Sequence, residues 1–148
     1  MKSIPQYDYL KFWKVIRYYM KAKHGLTQGD LDMILFLYSE KYFNKDTFIQ
    51  FDELLAWDIK RFERLRQDGW IEVFRKRSMS RKALYQVSDK GVNLCRDIYR
   101  KLNGDEIPMN VSNNPMFKKN VSYSDKVYRN MIKQMNEFIK QQRHQTHE

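Results

Sequence analysis

Residues 58–88, DIKRFERLRQDGWIEVFRKRSMSRKALYQVS, constrain the fold of this chain more than any other stretch. Ile59, Phe62 and Leu65 recur at three-residue steps, which on a helix stacks them on one face and turns Lys60, Arg61 and Arg64 away from it. Asp58 suits a helix N-cap and Gly69 a C-terminal stop, bounding a helix of about three turns. Beyond the glycine, WIEVFR alternates, with Trp70, Glu72 and Phe74 on one side and Ile71, Val73 and Arg75 on the other, and ALYQVS is a second β-favouring run. Together they predict an antiparallel hairpin. Its tip, KRSMSRK, sets Lys76, Arg77, Arg81 and Lys82 around Ser78 and Ser80 with no acid to neutralise them. Such a tip suits a phosphate backbone. A merely solvated turn is the plainer reading, and the same polarity on the exposed side of the preceding helix weighs against it.

The flanking sequence is mostly helical in pattern. From Asp8 to Lys23 the positions Phe12, Trp13, Ile16, Tyr19 and Met20 fall on one side, predicting an amphipathic helix closed near Gly25. Thr27 with Asp30 has the spacing of a capping box, and Leu31, Ile34, Leu35 and Tyr38 mark a second helix to about Phe43. Thr47–Phe51 reads as a short extended piece, and Asp52 as the cap of a brief helix over Glu53–Ala56 with a turn at Trp57. One continuous helix from Leu54 to Gly69 is the alternative, because that span is short for two helices and a turn. After the hairpin, Ser88 caps a helix through Leu102 that ends at Asn103-Gly104. Residues 104–123, with Pro108 and Pro115, read as an irregular arm or linker. From Ser124 to about Gln142 a last helix carries Val127, Tyr128, Met131, Ile132, Met135, Phe138 and Ile139 on one broad face. That face folds back on its own domain or, the preferred reading, pairs with a second subunit, with Phe12, Trp13, Ile16, Tyr128, Met131, Ile132, Met135 and Phe138 as the interface. The expected division is 1–103, 104–123 and 124–148.

The balance of charge bears on the partner. The 148 residues hold 28 Lys and Arg against 18 Asp and Glu, a formal net charge of +10 that favours an anionic partner such as nucleic acid or a membrane surface. Residues 56–102 alone hold 13 basic and 6 acidic side chains, a net +7. Cys95 is the only cysteine, so no intramolecular disulfide can form, and its place in the apolar series Val92, Cys95, Ile98, Leu102 predicts a reduced, packed thiol in a reducing cytosol. No stretch has the roughly twenty apolar residues of a membrane span, and MKSIPQYDYLKFWK lacks a signal-peptide core. A soluble cytoplasmic protein is expected.

FERLRQDGWIEVF followed by RKRSMSRKALYQVSDKG resembles the MarR-type winged-helix regulators over roughly residues 8–103. The tail NPMFKKNVSYSDKVYRNMIKQMNEF is similar to that of small winged-helix proteins of tailed bacteriophages. The resemblance implies a mainly α fold with a small β-hairpin wing, a winged helix-turn-helix with flanking N- and C-terminal helices. It further implies a homodimeric transcriptional regulator of double-stranded DNA, acting in a host cytoplasm if phage-encoded. Lys60, Arg61 and Arg64 then match groove-facing positions, and Arg75, Lys76, Arg77, Arg81 and Lys82 match the wing. Arg61 and Arg64 would reach guanine edges while the wing cations neutralise phosphates, and a dimer would read a palindromic operator. The chain departs from the pattern in its abbreviated first motif helix, in lacking the Asp-Arg-Arg tip, and in placing Glu63 and Asp68 in the recognition helix. Glu63 is expected to pair with Lys60 or Gln67 on the helix surface.

Signs of catalysis are few. The sequence has no P-loop, GxSxG, HExxH or close cysteine pair. His144 and His147 have the spacing of a helical metal pair without a third ligand, and Asp30 and Asp32, two apart, suggest solvation. No enzyme activity, cofactor or metal is expected. The second reading is a virion structural or assembly protein that uses a winged-helix module, the arm and the last helix to contact other phage structural proteins.

Overall fold

Helix α1 (Tyr9–His24) starts where the Asp8 carboxylate accepts the Lys11 N–H at 3.1 Å and stops at Gly25, whose φ of 65° costs a glycine nothing. The computed structural model describes residues 7–46, 49 and 58–146. The chain forms two compact units, one within Met1–Leu26 and Asp97–Glu148, the other within Thr27–Arg96. Helix α1 therefore groups with the C-terminal third, whereas the sequence reading placed it in a domain of residues 1–103. The described residues are mainly helical with a small two-stranded antiparallel sheet.

In the Thr27–Arg96 unit, α2 (Gln28–Glu40) opens on both halves of the expected capping box: Thr27 Oγ1 accepts the Asp30 N–H and Asp30 Oδ2 accepts the Thr27 N–H, each at 3.2 Å. The helix ends at Glu40, short of the expected Phe43. Phe43 instead pairs backbone to backbone with Tyr85, at 3.1 and 2.8 Å. Of the extended piece expected over Thr47–Phe51 only Ile49 is described, and it is helical, as are Lys45 and Asp46; the brief helix over Glu53–Ala56 lies wholly outside the described residues. Helix α3 (Ile59–Gln67) begins at Asp58, which is extended (φ −92°, ψ 160°) and accepts the Arg61 N–H at 2.7 Å. An extended residue breaks a helix, so the continuous helix from Leu54 to Gly69 is not what forms. Phe62 and Leu65 are buried, whereas Ile59 is 41% exposed and lies off the apolar face.

Gly69 (φ 86°) turns the chain into β1 (Ile71–Arg75), which pairs with β2 (Leu84–Val87) in the register Ile71 to Val87 and Val73 to Tyr85. Two β1 steps, Val73 to Arg75, face one β2 step, Tyr85 to Leu84, so Phe74 is the extra residue of a bulge. The strict alternation expected for this strand fails: Val73 and Phe74 are both exposed where the bulge breaks the register, and at the strand's entry Trp70 and Ile71 are both buried. Tyr85 anchors the hairpin, its ring meeting Phe62 edge-on at 5.2 Å and lying 6.4 Å from Phe43. Ser88 then donates to the Gly69 carbonyl at 2.6 Å and accepts the Gly91 N–H at 3.3 Å, capping α4 (Asp89–Leu102), which contributes residues to both units.

In the other unit α5 (Tyr123–Thr146) packs along α1, with Tyr18 stacked on Tyr128 at 3.8 Å and Phe12 edge-on to Phe138 at 6.0 Å. Of the eight residues expected at a subunit interface, Phe12, Ile16, Ile132 and Met135 are at most 4% exposed within this one chain. They are core, because the broad face of the last helix is covered by α1. Trp13, Tyr128 and Met131 are half-buried, and Phe138 is the most open of the eight. Residues 104–123 are irregular but not a free linker. Ile107, Asn114 and Met116 are buried, a 3₁₀ turn spans Pro115–Phe117, and Asn136 on α5 clamps the Ile107 backbone at both N–H and carbonyl, each at 2.9 Å. No helix among the described residues is long and apolar enough to cross a membrane.

Candidate nucleic-acid interface

The eight basic side chains singled out in the sequence all lie in the Thr27–Arg96 unit, and the structure sorts them into two kinds. Lys60 on α3 and Lys76, Arg77 and Arg81 at the hairpin tip are exposed and form no ion pair among the described residues. The tip closes through Ser78 and Arg81, whose backbones bond at 3.0 and 3.3 Å, leaving Met79 fully exposed between them. The flanking cations Lys76, Arg77 and Arg81 are exposed on either side of this two-residue turn.

The other four are engaged. Arg75 is half-buried, donates from Nη2 to the Lys82 carbonyl at 3.2 Å, and leaves its Nε buried without a partner among the described residues. Lys82 pairs with Asp46. Arg61 Nε sits 3.2 Å from Asp30 Oδ1, and Arg64 donates from Nη2 to the same oxygen. Arg61 and Arg64 therefore do not simply point into solvent as the helical spacing implied. Asp30, expected to be solvated like its neighbour Asp32, is 5% exposed and is the acceptor on which both arginines converge; Asp32 is exposed and accepts from Gln28 at 2.7 Å. The capping-box spacing identified Asp30 as a cap, but no local signal linked it to arginines 31 and 34 residues further on.

Glu63 pairs with Lys45 at 3.1 Å and Arg66 at 3.5 Å rather than with Lys60 or Gln67, because Lys45 reaches α3 from outside its own helix. Arg66 also lies over the Tyr85 ring at 5.3 Å, which ties α3 to the hairpin. Lys45, Arg77, Lys82 and Asp46 line a cleft of about 340 Å³ against Ala83 and Tyr85. Phe74 of the bulge and Tyr42, both about half exposed, lie against each other with ring centroids 4.3 Å apart and planes tilted by 31°.

The arrangement can hold anions by charge and hydrogen bonding. Among the described residues no three His, Cys, Asp or Glu side chains converge as metal ligands. His144 is exposed, and His147 lies outside the described residues. Charge is not concentrated in this unit. Thr27–Arg96 holds 13 basic and 11 acidic residues, net +2, whereas Met1–Leu26 with Asp97–Glu148 holds 15 and 7, net +8. No protein-family model matches the chain, and no curated protein or solved structure matches it either.

Proposed function

We propose that the Thr27–Arg96 unit binds duplex DNA as a winged helix-turn-helix, with α3 as the recognition helix and the hairpin as the wing, and that the protein is a transcriptional regulator. The observation that carries the reading is the hairpin tip, where Lys76, Arg77 and Arg81 are exposed and form no ion pair among the described residues, in a unit whose net charge is only +2. A strongly basic tip on a nearly balanced unit gives a directional anion contact instead of a general attraction. Lys60 on α3 is likewise exposed and forms no ion pair among the described residues. The assembly reading invoked residues 104–123 as a docking arm; their packing against α5 through Asn136 leaves that reading with less support.

The test is the affinity of the purified protein for random-sequence duplex and for fragments of its own genome, each across a salt series. A DNA-binding regulator gives tight, salt-sensitive binding that favours one fragment by about a thousandfold or more. Weak binding without preference would point to protein partners instead.

A further inference from the structure

The seat of Arg61 is more elaborate than an ion pair. Gly29, in the first turn of α2, has no side chain where the Arg61 guanidinium lies: a Cβ there would meet Cζ at 2.5 Å, Nη1 at 2.6 Å and Nη2 at 2.7 Å. Those near-equal distances place the flat face of the guanidinium over Gly29, an approach that only glycine permits. The Nε is taken by Asp30 Oδ1 at 3.2 Å, so the two Nη groups form a fork with no other partner among the described residues. Asp30 is itself fixed, because its second oxygen accepts the Thr27 N–H and its backbone donates to Thr27 Oγ1. The Arg61 side chain is 28% exposed, so part of it remains accessible to solvent.

From this geometry we propose that Gly29 and Asp30 are specificity-determining positioning residues, which hold Arg61 as a preset two-pronged donor for the paired acceptors O6 and N7 of a guanine. The inference rests on the DNA-binding reading above. A guanidinium locked at its face and its Nε loses little rotamer freedom on binding, and its Nη fork matches two acceptors on one base edge. Arg64 shares Asp30 Oδ1 but is half exposed and lacks a glycine seat, so it keeps the freedom suited to a phosphate.

The test uses the full chain and two kinds of duplex, sequences that the wild type enriches from a random library and the unselected library itself. The readout is the ratio of the two affinities, which partial loss of folded protein does not change because it scales both equally. Asp30→Asn removes the charge that holds Nε. Gly29→Ala fills the seat while leaving the cap and every charge in place, and alanine favours the helix. Each variant is expected to lower the ratio about tenfold, the size of one bidentate base contact. An unchanged ratio in Gly29→Ala overturns the positioning role and leaves the DNA reading standing, as does a wild type that binds duplex with salt dependence but enriches no sequence. A wild type that binds no duplex overturns both.

Discussion

At the scale of single residues, the buried polar contacts make the most exposed claims. Asn136 is 2% exposed and satisfies both the N–H and the carbonyl of Ile107, working as a short piece of strand would. Asn136→Ala strands two buried backbone groups and should cost about 2–6 kcal/mol in chemical denaturation, since each unpaired group costs roughly 1–3 kcal/mol. A loss below about 1 kcal/mol would show that residues 104–123 do not depend on this clamp. Burial pushes the Cys95 thiol from 9.0 up to about 12. Its ionisation is thereby favoured in the unfolded chain, so this contribution to stability is complete below pH 9 and is lost as pH rises toward 12. Tyr18 and Tyr19 are also raised from 10.0 to about 12, Tyr18 by burial and then its bond to Asp125, Tyr19 by burial and then Asp97, so their loss begins later. Stability measured from pH 9 to pH 10 should therefore fall less steeply in Cys95→Ala than in the wild type. Equal slopes would contradict the burial of the thiol.

At the scale of elements, what the sequence revealed divides by range. Gly25, the Thr27 and Asp30 box, Asp58, Gly69 and Ser88 all mark helix ends where they were expected, because a cap is written within three or four residues of the end it closes. Contacts between distant segments were not legible. The pairing of Phe43 with Tyr85, the meeting of Asp30 with α3 and the clamp of Asn136 on Ile107 span 29 to 42 residues and leave no periodic trace. The Phe74 bulge escaped for a related reason, since alternation presumes an unbroken register. The site was half legible: composition located the basic positions, but only the fold shows that Arg61, Arg64, Arg75 and Lys82 already have partners. The hairpin depends on Tyr85, which is 5% exposed and touches Phe43, Phe62 and Arg66. Tyr85→Ala should cost on the order of 3–5 kcal/mol, as large aromatic truncations do, and should lower duplex affinity with it. Full stability in this variant would mean that the hairpin is held by something else.

At the scale of the whole molecule, the distribution of charge sets up the decisive question. A chain with net charge +10 attracts DNA whatever its fold, and most of that excess belongs to Met1–Leu26 and Asp97–Glu148 rather than to the unit that carries the hairpin. Binding alone therefore does not establish the route. The salt slope does, because each phosphate contact adds about 0.9 to the fall of log K with log salt. The measurement is duplex affinity across a salt series for the wild type and for Lys76→Gln, Arg77→Gln, Arg81→Gln combined, three exposed substitutions that leave the Tyr85 anchor untouched. If the hairpin grips the backbone, the variant loses affinity at low salt and its slope is shallower by about 2–3. If the slope is unchanged, the hairpin does not contact phosphate and the proposed mode of DNA binding is wrong.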